Sequence, residues 1–267
     1  MFRIASFLLL GLQLWAGNGN AQSKYNKLVW ADEFNQSGLP DSSKWGYDKG
    51  MGCPDNCGWG NHEKQFYTHN RKENARVEDG LLIIEARKET FEQAGYTSAR
   101  LVSKHKGDWL YGRIEVKAKL PAGKGIWPAI WMLPTNWEYG GWPQSGEIDI
   151  MENVGYLPDS VFGTVHTGKY NGMLGTQKGK STFRNDLSKA FHVYAVEWTE
   201  KSISFFVDGE RYNEFVNDGT GIGAWPFNKA FHLLLNIAVG GDWGGKYGVD
   251  ESIFPQRMSI DYVRVYQ

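Results

Sequence analysis

The sequence predicts an all-β domain, a sandwich or barrel of antiparallel sheets, on three observations. Short segments alternate apolar and polar residues with period two, and residues 113–120 do so without a fault. Hairpin-type turn pairs, Asp79-Gly80 and Asp208-Gly209, stand between such segments. No stretch after residue 22 places apolar residues at helical spacing, and many short strands without helices mean stacked or closed sheets.

Taken in order, residues 1–22 read as a secretory signal. Arg3 supplies the positive start, residues 4–15 the apolar core, and Gly19-Asn20-Ala21 a small-residue cleavage site. The apolar run is too short to span a bilayer. The expectation is one exported, monomeric domain over residues 23–267, with no membrane partner. Cys53 and Cys57 then share an oxidising compartment within a Gly/Pro/Asn loop, where a disulfide and two free thiols are both open readings. Residues 81–86, 113–120, 202–207 and 258–266 read as strands with one wet face. Leu233-Leu234-Leu235 is continuously apolar, the mark of a strand buried on both faces. No repeat, linker or shift in composition divides the chain.

Charge excludes some partners. Lys and Arg number 29 against 30 Asp and Glu, so nucleic acid or an anionic surface finds no net attraction. His62-Glu63 lacks a second histidine at the spacing of a zinc protease site.

The chemistry concentrates in Gly146-Glu147-Ile148-Asp149-Ile150-Met151-Glu152-Asn153. On a strand, Glu147 and Asp149 share one face and Ile148 and Ile150 the other. Strict alternation would bury Glu152 among the isoleucines, which is costly. One extra residue at Ile150-Met151, a β-bulge, returns Glu152 to the acidic face and turns Met151 away from it. Three close carboxylates cannot all ionise easily, and one protonated acid beside one ionised acid is what glycosidic cleavage needs. A solvated strand face is the bland alternative. Tryptophans weigh against it: Trp127 and Trp131 precede the acids, Trp142 lies in the Gly/Pro loop between, and Trp243 sits among four glycines. Indole planes suit the apolar faces of pyranose rings.

These pieces resemble glycoside hydrolase family 16, and within it the bacterial laminarinase-type endo-β-1,3-glucanases. The resemblance rests on Trp30-Ala31-Asp32-Glu33-Phe34, the run from Cys57 to Tyr67, the segment from Trp127 to Pro134, and the acidic motif. His166-Thr167, Asn236-Ile237-Ala238-Val239-Gly240-Gly241 and Asp261-Tyr262-Val263-Arg264-Val265-Tyr266 complete it. It implies a β-jelly roll of two curved antiparallel sheets with substrate along the concave face. It also implies a retaining double displacement on β-1,3-glucan, with Glu147 as nucleophile, Glu152 as general acid/base and Asp149 assisting between them. Asn61, Glu63 and Arg100 match polar positions of the glycone side, and Trp127, Trp131 and Trp243 match the cleft wall. His166 matches a histidine beside the acids, with a satisfied core histidine as its alternative.

The resemblance further implies a structural calcium, held by backbone oxygens of Glu33 and Gly80 and the side chain of Asp261, an oxygen-only set that suits this ion. No cofactor is implied for the chemistry itself. The partner it implies is a polysaccharide, a β-glucan. The extra Met151 separates this motif from that of the mixed-linkage lichenases. A mixed-linkage β-1,3-1,4-glucanase, an agarase- or carrageenase-like galactan hydrolase and a non-catalytic glucan-binding protein stay as alternatives; such binding proteins lose the acids that this chain keeps.

Overall fold

A computed structural model describes residues 24–267; the expected signal over residues 1–22 lies outside them. The first nine strands are β1 (Leu28–Asp32), β2 (Gly46–Asp48), β3 (Gln65–Tyr67), β4 (Ala75–Glu78), β5 (Leu81–Phe91), β6 (Ala94–Ser98), β7 (Arg100–Val102), β8 (Asp108–Trp109) and β9 (Gly112–Lys119). The rest are β10 (Ile126–Pro134), β11 (Glu147–Glu152), β12 (Ser160–His166), β13 (Lys178–Phe183), β14 (His192–Trp198), β15 (Ser202–Val207), β16 (Glu210–Val216), β17 (Phe231–Val239) and β18 (Gln256–Tyr266). Helical structure among the described residues is confined to three short 3₁₀ turns.

The strands form two stacked sheets, the β-jelly-roll sandwich that was expected. One sheet runs β13-β12-β11-β10-β17-β7-β2, with β8 on β17. The other runs β16-β15-β14-β9-β18-β5-β6-β3, with β1 on β18 and β4 on β5. Pairing is antiparallel except between β3 and β6. At both Asp79-Gly80 and Asp208-Gly209 the two central residues have positive φ, the geometry that matches the twist of the flanking strands. Cys53 and Cys57 are joined as a disulfide, which settles that alternative.

The core lies between the sheets, and it decides which way the site faces. β9 alternates buried and half-buried residues along its whole length, with Ile114, Val116 and Ala118 inward. β17 is buried at all nine positions. Leu233, Leu235, Ile237 and Val239 fill the core, leaving His232, Leu234, Asn236 and Ala238 for the opposite face.

β11 carries the predicted bulge. Asp149 pairs with Trp131 of β10, but the next pair is Met151 with Ile130, so Ile150 has no partner there. On the β12 side the register likewise shifts between Asp149 and Glu152. Ile148, Ile150 and Met151 all lie in the core with no exposed surface. Burying such a side chain contributes about 1.5–3 kcal/mol, so the bulge is stabilised by Met151 as well as by keeping Glu152 out of the core.

Candidate active site

Glu147, Asp149 and Glu152 share the outer face of β11, and a different neighbour holds each. Trp142, in the loop before β11, donates its indole N–H to Glu147 Oε2 at 2.7 Å. Trp127, on β10, donates to Glu152 Oε1 at 3.0 Å. His166 stands opposite Glu147 on β12, with Nε2 3.3 Å from Asp149 Oδ2 and 3.9 Å from Glu147 Oε1. The Gly172 N–H donates to His166 Nδ1 at 3.1 Å, so a neutral ring carries its proton on Nε2, toward the acids. Glu147, Asp149 and His166 are close enough to hold a metal ion. With the proton on Nε2, the ring turns its N–H edge toward both carboxyls without closing a hydrogen bond to either, and Asp149 Oδ2 is left with no hydrogen-bond partner among the described residues.

The surroundings set protonation. Burial, first, and then the charge of Glu147 and a hydrogen bond shared with it raise the Asp149 carboxyl well above the ordinary carboxylate range. Burial is also the main cause that raises Glu152, followed by the charge of Asp149. His166 and the Trp127 hydrogen bond act in the opposite sense on Glu152. The expected repulsion between acids is thus present, but withdrawal from water is the larger effect.

On the β10–β17–β7 side, the expected glycone residues converge in a buried network. Glu63 is buried, and its Oε2 accepts from Gln65 Nε2 at 2.6 Å and from the Tyr67 hydroxyl at 3.3 Å. Asn61 donates to Glu63 Oε1 at 3.3 Å. The Arg100 guanidinium lies 3.8 Å from Glu63 Oε2 and 3.6 Å from Asp48 Oδ2. It rests against the rings of Trp59, Tyr67 and Trp131 at 4.2, 4.6 and 5.2 Å, a cation held between aromatic faces. Trp131 Nε1–H donates to Asn236 Oδ1, whose amide donates in turn to the Tyr67 hydroxyl. Asn61, Glu63, Arg100 and Trp131 therefore form one assembly. Trp243 belongs to another wall, with its ring edge-on to Trp127 and Phe162 at 5.4 and 5.0 Å.

Sequence reasoning did not single out Trp59, Gln65, Tyr67, Trp142 or Asn236 as site residues. Trp142 was visible as a tryptophan in a glycine loop. Tyr67 and Asn236 meet across 169 residues, a distance that no local spacing reveals.

The expected calcium donors lie away from this face. Asp261 Oδ2 is 2.7 Å from Lys117 Nζ, and the Glu33 carboxylate takes a two-point bond from Arg264. The donors are oxygens, as calcium prefers, yet the one carboxylate among them is already neutralised, so the ion would have to displace an ammonium.

Comparison with known proteins agrees with the geometry. The family model for glycosyl hydrolases family 16 matches residues 62–264. A β-glucanase of Rhodothermus marinus is 52% identical over 277 aligned positions, covering 100% of this chain and 95% of that protein. The structure of the Rhodothermus marinus laminarinase superposes with a TM-score of 0.87 at 54% identity, covering 90% of this chain and 97% of the other. That of SCLam, described as a non-specific endo-β-1,3(4)-glucanase, gives 0.85 at 48% identity, with 90% and 91% covered. The chain belongs to glycosyl hydrolases family 16.

Proposed function

We propose that this protein is an endo-acting glycoside hydrolase that cleaves β-1,3-glucan of the laminarin type with retention of configuration. The observation that carries the proposal is the bulge in β11, which sets Glu147 and Glu152 on one face, each tied to its own indole.

Glu147 attacks the anomeric carbon while Glu152, kept protonated by burial, gives its proton to the departing glycosidic oxygen. The covalent glycosyl-enzyme is then hydrolysed by water, which Glu152, now ionised, activates by taking a proton. Asp149, itself protonated, shares a hydrogen bond with Glu147. That bond steadies the nucleophile before attack and weakens as the charge on Glu147 passes into the new ester bond. His166 sets Nε2 3.3 Å from Asp149 Oδ2 and 3.9 Å from Glu147 Oε1, a polar neighbour that faces both carboxyls. The Glu63–Arg100–Tyr67–Asn236 assembly presents polar edges to the glycone sugars, and Trp127, Trp131 and Trp243 supply apolar cleft wall.

The test is digestion of laminarin, barley mixed-linkage glucan, agarose and carrageenan, with linkage analysis and anomer-resolved NMR of the first products. New β-configured ends from internal 1,3-bonds in laminarin are expected. Products only from the galactans, or α-configured ends, would overturn the reading. The non-specific glucanase among its structural relatives favours a second reading, in which mixed-linkage glucan is cleaved as well. Export after removal of residues 1–22, a monomeric state, and calcium at Glu33, Gly80 and Asp261 in competition with Lys117 are parts of the same proposal.

A further inference from the structure

The reading above places the glycone on the β10–β17–β7 side of the acids, which leaves β12 and the edge strand β13 for the sugars that depart. We propose that β13 forms a leaving-group platform, in which Gly179 and Ser181 make a low floor and Phe183 supplies a stacking face for a distal glucosyl residue of the departing chain. This rests on the glucanase reading and deepens it.

Register settles which β13 side chains face the cleft. On β12, Val161 and Val165 lie in the core, so Phe162, Thr164 and His166 take the opposite, acid-bearing face. Thr164 pairs with Gly179, Phe162 with Ser181 and Ser160 with Phe183. Partners across an antiparallel pair share a face, which puts Gly179, Ser181 and Phe183 on the cleft side. A Cβ built on Gly179 would lie 2.7 Å from Thr164 Oγ1, which confirms that this position looks the same way. Gly179 does not have the positive φ that would call for glycine, so its missing side chain serves space rather than backbone conformation. Lys178 and Lys180 point to the other face.

Phe183 is the odd member of this row. It is 65% exposed, and among the described residues only Trp142 and Tyr247 are other aromatics counted as exposed. Trp142 holds Glu147, and Tyr247 stacks edge-on to Tyr156. Phe183 meets no other ring among the described residues. Nothing in folding explains so exposed a ring at the end of an edge strand, where a bare apolar face is a liability. Spacing supplies the reason. Adjacent strands lie about 4.8 Å apart, close to the length one pyranose adds to a chain, so a chain crossing from β11 meets β12 and then β13 one sugar at a time. The first departing sugar lies over Thr164 beside Phe162, and the second over the Gly179–Ser181 floor, with Phe183 at its side.

The test compares two substrates in wild type, Phe183→Ala and Phe183→Trp. Laminarihexaose places sugars on both sides of the acids, whereas 4-nitrophenyl β-laminaribioside leaves only an aryl group on the leaving side. In Phe183→Ala, kcat/KM for the hexaose should fall about tenfold, with the aryl glycoside unchanged, and Phe183→Trp should restore the hexaose rate. Equal losses on both substrates, or no loss on the hexaose, would overturn the platform while leaving the glucanase reading intact. A wild-type protein inert on laminarihexaose would instead overturn the glucanase reading, and the platform with it. Because Phe183 is exposed, Phe183→Ala should melt with the wild type, and the comparison then concerns binding alone.

Discussion

Two carboxylates in this molecule are buried to the same degree and treated in opposite ways. Glu85, in the middle of β5, has no exposed surface and faces three guanidinium groups: Arg76 at 3.0 Å, Arg257 at 2.8 Å, and Arg87. Asp149, 2% exposed in the middle of β11, faces two more carboxyls and a histidine. The first arrangement compensates a buried charge, and the second prevents one from forming. Burial by itself therefore says little about role. The company a buried acid keeps separates a fastener from a member of an acid cluster.

The comparison breaks most visibly under substitution. Glu147→Gln and Glu152→Gln should each lower turnover by about 10²–10⁴-fold or more while retaining glucan binding, measured by kinetics and by titration with laminari-oligosaccharide. Glu85→Gln should do the reverse. It leaves three arginines without their shared anion and costs about 3–5 kcal/mol in denaturant unfolding, with kcat of the folded protein unchanged. Loss of activity without loss of stability in Glu85→Gln would dissolve the distinction.

A smaller effect sharpens it within the acid cluster. Trp127→Phe keeps a ring in the cleft wall but removes the N–H that holds Glu152. A fall of about tenfold in kcat is expected from the lost charge-assisted bond, with glucan affinity nearly unchanged. That bond lowers the Glu152 pKa, so its removal should also move the alkaline limb of the pH–rate profile upward. A limb that stays in place would separate Trp127 from the acid.

Stability against pH gives the next contrast. Asp149 holds its proton more tightly in the folded chain than its ordinary value of 3.8. Its contribution to stability is therefore full below that value and is lost as pH rises toward the folded value. Asp149→Asn should raise the melting temperature at pH 7 by about 2–4 °C for each kcal/mol released, and the gain should vanish near pH 3.5. A gain independent of pH would assign it to packing instead. The smallest effect concerns calcium. A chelator should lower the melting temperature slightly, and Asp261→Ala should abolish that sensitivity. Identical melting curves with and without chelator would remove the ion.

Much of this site was legible in the sequence because β11 obeys a rule of period two and breaks it once. The alternation of Ile148 and Ile150 with Glu147 and Asp149 fixes a face, and the cost of burying Glu152 locates the bulge. β9 and β17 were readable for the same reason: their patterns are local. The Glu63–Tyr67–Asn236 network was not readable, since its members lie on β3, β17 and the loop before β3 and meet only when the sheets form. Trp142 falls between. Its place in a glycine loop marks it as exposed, but the reach of its N–H to Glu147 depends on how that loop turns. The tautomer of His166 rests on a backbone N–H six residues further on, which no side-chain pattern encodes.

The central claim, that Glu147 attacks and Glu152 moves the proton, is tested most directly by azide rescue of two glycine variants on an activated aryl β-laminaribioside. In Glu147→Gly, azide takes the place of the missing nucleophile, and a single displacement should give the α-glycosyl azide. In Glu152→Gly, the covalent intermediate on Glu147 still forms, and azide should trap it from the other side as the β-glycosyl azide. Opposite anomers from the two variants are the predicted result. The same anomer from both, or the two anomers exchanged, would contradict the assignment.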